Sequence, residues 1–257
     1  MAVYAVSDLH GQFDVFMEGL KKIDFNDNDE LYVVGDAIDR GDDGIRILQH
    51  IKEHKNMDLL IGNHEFMMLN SVDPNGKDKC NGVDAELWLY GNGGTKTFTQ
   101  YSNLSTKKRQ SLLLWLNRRY VIKTMEVDGK PFCLTHSYFK EELINKIYSE
   151  LQYGDVWNIV WTSMYREDWE TRGSDIYRDY EYTFITGHVP VHRVMRWFIG
   201  KDDFNDIRIF EKNNFVDIDG GCAMGYHKEL NNGALFLRLN DMKVFTVAMG
   251  DVCGRQK

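Results

Sequence analysis

The sequence contains few cysteines and prolines and no long hydrophobic run. Its four cysteines lie far apart, with no Cys-x-x-Cys spacing and no dense disulfide framework of the secreted type, so reduced thiols are expected. The three prolines form no linker, and no internal repeat or low-complexity tract divides the chain. No apolar run approaches the roughly 20 residues of a membrane span, and the first residues lack the basic and apolar regions of a signal peptide. We therefore expect a cytoplasmic protein that does not enter a membrane.

An excess of positive charge is also missing. The formal net charge is -8 at pH 7. Nonspecific binding to nucleic acid or to an anionic membrane needs a basic face that neutralises phosphates. We therefore expect no nucleic-acid partner, and any site that handles phosphate must create its own local positive charge.

The 257 residues, of which 43% are hydrophobic, suffice for a full core, and a single domain over residues 1–257 is expected. Short apolar runs at 2–6, 31–34 and 59–61 alternate with helical patterns in the first 70 residues. This βαβαβα order predicts parallel strands joined by helical crossovers.

The pattern becomes helical over an insert at about 73–119, where Ser105 is the expected N-cap of a helix over 106–118. Strand signals return at 121–127, 132–135, 182–186, 207–210, 234–239 and 244–248. Asp128-Gly129 predicts a hairpin turn. A second insert, at about 138–181, is rich in aromatic and charged residues. The second half is thus predicted to be mostly β structure packed against the first.

Polar, glycine-containing segments directly follow the first three predicted strands. They are Ser7-Asp8-Leu9-His10-Gly11, Gly35-Asp36-Ala37-Ile38-Asp39-Arg40-Gly41 and Gly62-Asn63-His64-Glu65. In open α/β sheets, ligands bind beyond the carboxyl ends of the strands. These three segments are therefore expected to converge on one site.

The residue types in these segments suit metal ions. Asp8 and His10 are separated by one residue, so both side chains can leave an extended backbone on the same side and bind one ion. The Asp36 carboxylate can bridge two cations about 3.5 to 4 Å apart, the separation used for in-line attack at phosphorus. Asn63 offers a neutral amide oxygen, whereas its neighbour His64 points elsewhere and is left to move protons. The Gly-Asp-x-x-Asp-Arg-Gly pattern has a chance probability on the order of 10⁻⁴, which makes it the most specific signal.

Two later histidines, His136 and His188, each follow a predicted strand. With them, the sequence resembles the metal-dependent phosphoprotein phosphatases among the calcineurin-like metallophosphoesterases, whose motifs run GDxHG, GDxxDRG, GNHE, then His and GH. The order and rough spacing match across nearly the whole chain. The resemblance implies an α/β fold, a four-layer αββα sandwich with two mixed sheets and a helical insert.

The resemblance also implies a role for each motif residue. The first metal would be held by Asp8, His10 and Asp36, and the second by Asp36, Asn63, His136 and His188. Both ions would share a bridging hydroxide that acts as the nucleophile. His64 would be the general acid oriented by Asp39, and Arg40 and Asn63 would contact the substrate phosphate. Mixed nitrogen and oxygen ligation suits two divalent ions, for which Mn²⁺ is the first expectation and Fe or Zn²⁺ the alternatives.

The chain departs from the family pattern at two positions. Ser7 replaces the usual glycine, a change between small residues that is expected to be harmless. Ser163 occupies the position where related bacterial phosphatases have an arginine, two residues after a tryptophan. The candidates for this second phosphate clamp are Arg166 and Arg172, which lie in the second insert.

Two further segments are weaker matches to the family. The segment Ile218-Asp219-Gly220-Gly221-Cys222 resembles a closing loop that approaches the metals through its backbone, and we expect a supporting role. The segment from Trp88 to Gly94 also resembles family members, but we interpret its Gly-Gly as a plain helix stop.

Three functions are compatible with these residues. The leading hypothesis is a phosphatase acting on phosphoserine or phosphothreonine in proteins, with a phosphorylated protein or a small phosphoester as partner. The alternative is a symmetrical bis(5'-nucleosyl)-tetraphosphate hydrolase, which needs additional basic and aromatic groups of the kind found in the second insert. A catalytically silent scaffold that binds phosphorylated partners is the third, and the presence of Asp39, Arg40 and His64 argues against it.

Overall fold

Two mixed sheets of five strands each form the centre of the computed structural model, which describes residues 1–164, 180–200 and 206–253. The first sheet contains, in spatial order, β10 (Lys243–Ala248), β9 (Gly233–Arg238), β1 (Val3–Val6), β2 (Glu30–Val33) and β3 (Met57–Leu59). The second contains β4 (Ile122–Val127), β5 (Lys130–Thr135), β6 (Thr183–Thr186), β8 (Phe215–Asp217) and β7 (Phe210–Lys212). The pairs β1–β2, β2–β3, β5–β6 and β6–β8 are parallel, and the others are antiparallel.

Helices cover the outer faces of the sheets. They are α1 (Phe13–Lys22), α2 (Gly44–Glu53), α3 (Asn63–Ser71), α4 (Thr95–Ser102), α5 (Thr106–Leu116), α6 (Tyr153–Trp161), α7 (Val191–Ile199) and α8 (Met249–Cys253). A π-helical turn spans Leu87–Gly91, and short 3-10 turns span Glu141–Leu143, Tyr148–Glu150 and Cys222–Met224. In the part of the chain that the structure describes, no helix has the length and apolar character needed to cross a membrane.

The two sheets pack face to face through alternate side chains of their strands. On β1, Val3 and Ala5 belong to the core between the sheets, whereas Tyr4 belongs to the core beneath the helices. On β5, Phe132 lies in the core between the sheets and Cys133 in the core beneath the helices. Successive side chains on a strand point to opposite faces, so each sheet is buried on both sides. This arrangement confirms the predicted layers of helices, two mixed sheets and helices.

Predictions that depend only on residues close together in the sequence are confirmed. The order βαβαβα is present over the first 71 residues. The turn at Asp128 and Gly129 has φ values of 49° and 76°, as a hairpin of this type requires. Ser105 caps α5, since its hydroxyl accepts a hydrogen bond from the Lys108 N–H at 3.4 Å. The predicted insert, which precedes β4, contains the helices α4 and α5, as expected.

The strand predicted at 207–210 is wrong in position. The chain pairs instead at Phe210–Lys212 and again at Phe215–Asp217, a strand that the pattern did not predict. The cause is the turn at Asn213, whose φ of 54° folds two three-residue strands into a tight hairpin. Ile207 is buried between the sheets but pairs with no strand. In this segment, an apolar residue such as Ile207 is buried without pairing in a sheet.

Candidate metal centre

The loops after β1, β2, β3, β5 and β6 meet at one edge of the sheets and form what we call the floor of the site. All six predicted metal ligands lie on it: Asp8, His10, Asp36, Asn63, His136 and His188. The first five are buried and His188 is half-buried. The backbone joins the first two loops, because the N–H groups of Asp8 and His10 donate to the carbonyls of Gly35 and Asp36 at 3.1 and 2.9 Å.

The backbone of the floor is strained. Positive φ values between 44° and 73° occur at Asp8, His10, Asp36, Asp39, Arg40 and His188. This left-handed conformation costs a residue other than glycine about 1 to 3 kcal/mol, and it concentrates at functional sites. At Gly62 a side chain is excluded altogether, because a Cβ atom would lie 2.3 Å from Asp36 Oδ1. The strained backbone costs local stability, and it directs these side chains toward one another.

Asp8, His10 and Asp36 form the first group of possible metal ligands. His10 Nε2 lies 3.7 Å from Asp8 Oδ1 and 3.7 Å from Asp36 Oδ2. Two atoms that each lie about 2.1 Å from one ion are separated by this kind of distance. Asp8 Oδ2 accepts hydrogen bonds from the Ser7 hydroxyl and the His188 N–H. Asp8 Oδ1 is buried without a hydrogen-bond partner among the described residues, and a cation would satisfy it.

Asp36, Asn63, His136 and His188 form the second group. Asn63 Oδ1 lies 3.0 Å from His136 Nε2 and 2.9 Å from His188 Nδ1. Asp36 Oδ2 lies 3.4 Å from His136 Nε2. The same Asp36 oxygen also faces His10, so Asp36 belongs to both groups of ligand atoms. His10, Asp36 and His64 likewise offer ligand atoms within 4.8 Å of one another. A carboxylate shared in this way fits a site for two cations.

Backbone carbonyls fix the orientation of two of the histidine rings. His136 Nδ1 lies 2.9 Å from the Val34 carbonyl, and His10 Nδ1 lies 3.2 Å from the Ile38 carbonyl. A ring that donates Nδ1–H to a carbonyl presents its Nε2 lone pair to a metal, and such bonds set the tautomer of metal ligands. Both Nε2 atoms accordingly face the centre of the floor.

The charges on the floor are strongly coupled. Burial opposes a charge on His136, but the adjacent Asp36 carboxylate outweighs it and raises the pKa of His136 to about 10. Burial and the neighbouring His136 lower the pKa of His188 to about 4. His136 therefore carries a proton, which a bound cation would displace. Metal binding is expected to release it and to weaken as the pH falls.

His64 and Asp39 form a buried pair at the side of the floor. His64 Nδ1 lies 2.6 Å from Asp39 Oδ2, and His64 Nε2 lies 3.8 Å from Asp36 Oδ2. Burial alone would lower the pKa of His64, but the Asp36 and Asp39 carboxylates outweigh it and raise the pKa above its ordinary value. A protonated imidazole held by a carboxylate is suited to donate a proton near neutral pH.

Trp88, in the helical insert, is a further partner of this pair that sequence reasoning missed. Its indole N–H donates to Asp39 Oδ2 at 2.8 Å, the same oxygen that faces His64. A side chain at Gly94 would collide with the indole, since its Cβ would lie 2.5 Å from Trp88 Nε1. The Arg40 N–H donates to the Gly93 carbonyl at 3.3 Å. A helical turn does end at Gly91, and Gly93 follows it with a φ of 79°, as expected for a helix stop. The stop is not a plain one, however, because these glycines also let the insert dock against the floor.

Glu65 connects the second and third loops. Its Oε2 accepts from the Asp36 and Gly62 N–H groups at 2.8 and 3.1 Å, and its Oε1 accepts from the Ala37 N–H at 2.9 Å. It is completely buried, and burial raises its pKa to about 7. The motif that contains Glu65 was recognised in the sequence, but its role as a brace between loops depends on tertiary structure.

A cavity of about 800 Å³ opens above the floor. We call its outer wall the rim. The rim residues are Trp161, Thr162, Ser163, Arg193, Arg196 and Trp197. Arg40 and Asp219 also line the cavity. The predicted clamps Arg166 and Arg172 lie outside the described residues, so the structure does not place them.

Arg193 and Arg196 are the second set of residues that sequence reasoning missed. The only signal for them is the helical period of α7, which buries Val191 and Val194 and exposes the two arginines. The loop that contains Asp219 lies against the start of this helix, since the Val191 N–H donates to the Asp219 carbonyl at 3.0 Å.

Comparisons with known proteins identify a family and several relatives. The calcineurin-like phosphoesterase family matches residues 1–218. A symmetrical bis(5'-nucleosyl)-tetraphosphatase from Nitrosospira multiformis is 32% identical over 139 residues, 53% of this chain and 43% of that protein. Serine/threonine-protein phosphatase 2 from Salmonella typhimurium is 27% identical over 202 residues, 74% of this chain and 80% of that protein. The matched segment thus spans less than half of the tetraphosphatase but most of the protein phosphatase.

Solved structures show the same fold. A putative diadenosine tetraphosphatase superposes with a TM-score of 0.56 at 14% identity, covering 96% of this chain and 93% of that one. A serine/threonine phosphatase from Saccharomyces cerevisiae superposes with a TM-score of 0.51 at 13% identity, covering 96% and 79%.

Proposed function

The chain belongs to the calcineurin-like phosphoesterase family, and from this premise we propose that it is a two-metal phosphomonoesterase that removes phosphate from phosphoserine and phosphothreonine in proteins. The observation that carries the proposal is the Asp36 carboxylate, whose Oδ2 lies 3.7 Å from His10 in the first ligand group, 3.4 Å from His136 in the second and 3.8 Å from His64. A site for two cations and a proton donor thus face the same cavity.

The ligand roles follow from the two groups of donor atoms. Asp8, His10 and Asp36 would hold the first ion, and Asp36, Asn63, His136 and His188 the second. Two divalent cations at these positions would activate a water molecule for attack and neutralise the charge that builds on the phosphoryl group. Nitrogen and oxygen donors without thiolate suit Mn²⁺, Fe or Zn²⁺, and Mn²⁺ is our first choice for activity.

The remaining polar residues would bind the phosphate and protonate the leaving group. Asp39 accepts the Nδ1–H of His64 and keeps Nε2 directed toward the cavity, where it would donate its proton to the leaving oxygen. Arg40 is exposed on the cavity wall, and its planar guanidinium is suited to bind two phosphate oxygens. Asn63 uses its Oδ1 toward the histidines, which leaves its amide NH₂ for the phosphate.

The protein phosphatase assignment is supported by the length of the match to the Salmonella enzyme, which covers most of both chains. A two-metal site does not distinguish what lies beyond the ester oxygen, so the rim must select the substrate. A second candidate is symmetrical hydrolysis of dinucleoside tetraphosphates. The pairing of Trp161 and Trp197 with two arginines in one cavity favours it, because indoles stack on bases and guanidinium groups bind phosphates. A silent scaffold is disfavoured by the intact geometry of the His64–Asp39 pair.

The test compares kcat/KM of the Mn²⁺-loaded protein for a phosphoserine peptide and for diadenosine tetraphosphate. We expect the peptide to be cleaved faster. Faster cleavage of the nucleotide, with ADP as the only product, would replace the proposal by the second candidate. Absence of turnover of either substrate would support the scaffold. A His64→Asn protein prepared in parallel shows whether the activity belongs to this site.

A further inference from the structure

We propose that Arg193 and Arg196 form a second anion subsite, which binds a phosphate group next to the one that is hydrolysed. The inference rests on the proposed function, because the floor and Arg40 fix where the first phosphate lies. Its ligand class is a phosphoester that carries two neighbouring phosphates.

The position of α7 is set by the floor. The helix begins three residues after the ligand His188, and Pro190 directly precedes its first residue. Val191 and Val194 are 1% and 0% exposed, so one side of the helix is fixed in the core. The bond from the Val191 N–H to the Asp219 carbonyl holds its first turn. The opposite side of α7 consequently has a fixed position relative to the metal ligands.

That opposite side presents the two arginines to the cavity. Arg193 and Arg196 are three residues apart, so they project from the same side of the helix, and both are exposed. Both line the cavity that also contains His64 and Asn63. With Arg40, three guanidinium groups therefore line this cavity, beside the Asp36 and Asp219 carboxylates, in a chain whose net charge is -8.

The size of the cavity exceeds what a single phosphate needs. Its volume of about 800 Å³ is in the range of sites that enclose whole ligands, which run from about 300 to 1,000 Å³. Arg40 and the proposed metal ions on the floor already offer binding groups to the phosphate that is cleaved. Two more guanidinium groups, whose planar donors match phosphate oxygens, indicate a second anion. The second phosphate can come from a polyphosphate chain or from a neighbouring phosphoresidue, since the recognising chemistry is the same.

The experiment uses the double variant Arg193→Gln/Arg196→Gln, with Arg118→Gln as a matched control. Arg118 is also exposed, but it lies beside a different depression of the surface. We measure kcat/KM for para-nitrophenyl phosphate, diadenosine tetraphosphate, and peptides with one and with two adjacent phosphoserines, at a constant concentration of free Mn²⁺. The ratio of two-phosphate to one-phosphate substrates should fall about tenfold in the double variant, the loss expected for charged hydrogen bonds at a partly exposed site. It should not change in the control.

Binding of inorganic tripolyphosphate, measured by calorimetry, tests the subsite without turnover. We expect its Kd to rise about tenfold in the double variant. If the wild type does not hydrolyse para-nitrophenyl phosphate with Mn²⁺, the proposed function fails, and the binding result alone decides on the subsite. If the wild type does hydrolyse para-nitrophenyl phosphate, but neither the substrate ratios nor the Kd change in the double variant, only the subsite is overturned. A ratio that falls for the nucleotide alone, or for the peptide alone, identifies the source of the second phosphate.

Discussion

The floor and the rim of the cavity are built in opposite ways. Most floor side chains are buried, and they come from five loops whose backbone is strained at several residues, as at Asp8 and Asp36, whose φ values are 55° and 54°. Rim side chains such as Arg193 and Arg196 are exposed and come from an ordinary helix. The floor tolerates little change because each residue has several partners, whereas a rim residue can change without disturbing the fold. We therefore propose that the floor carries out the chemistry and that the rim selects the substrate.

We expect the largest effect on the floor from the substitution Asp36→Asn. The variant keeps an oxygen that can accept from the His64 N–H, at 3.0 Å in the wild type, but loses the charge shared by both ligand groups. We expect kcat to fall by about 10³-fold or more and the metal content to drop below two ions per chain, because the bridging charge contributes several kcal/mol. Metal analysis and hydrolysis of para-nitrophenyl phosphate measure both. Full activity with two bound ions would contradict the role of Asp36.

His64→Asn separates proton transfer from metal binding within the floor. We expect kcat to fall by roughly 10² to 10⁴, the usual contribution of a general acid, while the metal content stays near that of the wild type. Circular dichroism checks that the variant is folded. Loss of metal from this variant would show that His64 is a ligand rather than a proton donor.

Trp88→Phe tests whether the helical insert acts on the floor. It removes the N–H that donates to Asp39 but keeps most of the ring volume. We expect kcat to fall about tenfold with little change in KM, as for loss of an orienting hydrogen bond. The loss should be larger for phenyl phosphate than for para-nitrophenyl phosphate, whose leaving group needs no protonation. Trp115→Phe, at a half-buried tryptophan of α5, is the matched control. Equal losses of kcat for the two substrates would show that Trp88 acts through packing alone.

The smallest effect concerns stability and involves Asp217 beneath the floor. Burial, and next the neighbouring Asp219, raise the pKa of Asp217 well above its ordinary value, so the folded chain holds this proton more tightly than the unfolded chain. Its favourable contribution to folding is present below the ordinary carboxyl pKa and is lost as the pH rises through the folded value. Relative to Asp217→Asn, the wild type should therefore lose unfolding free energy as the pH rises from 4.5 to 8. Urea unfolding measures this, and parallel pH profiles for the two proteins would refute it.

The comparison of floor and rim also explains what the sequence could predict. The ligand residues stand directly after short apolar strands, and parallel strands bring their carboxyl ends to one edge, so Asp8, Asp36 and Asn63 could be placed together. Trp88 reaches Asp39 from 49 positions away, and no local pattern encodes that contact. The arginines of α7 show only the period of an amphipathic helix, which marks them as exposed but not as facing a cavity. The β7–β8 hairpin was missed because strands of three residues are too short to show alternation.

The most direct test of the central claim is a titration of the metal-free protein with Mn²⁺, in which bound metal and hydrolysis of para-nitrophenyl phosphate are measured together. The shared Asp36 and the two ligand groups predict that activity is absent without metal and reaches its maximum only when two ions are bound per chain. Full activity without metal, or with one ion per chain, would contradict the two-metal site.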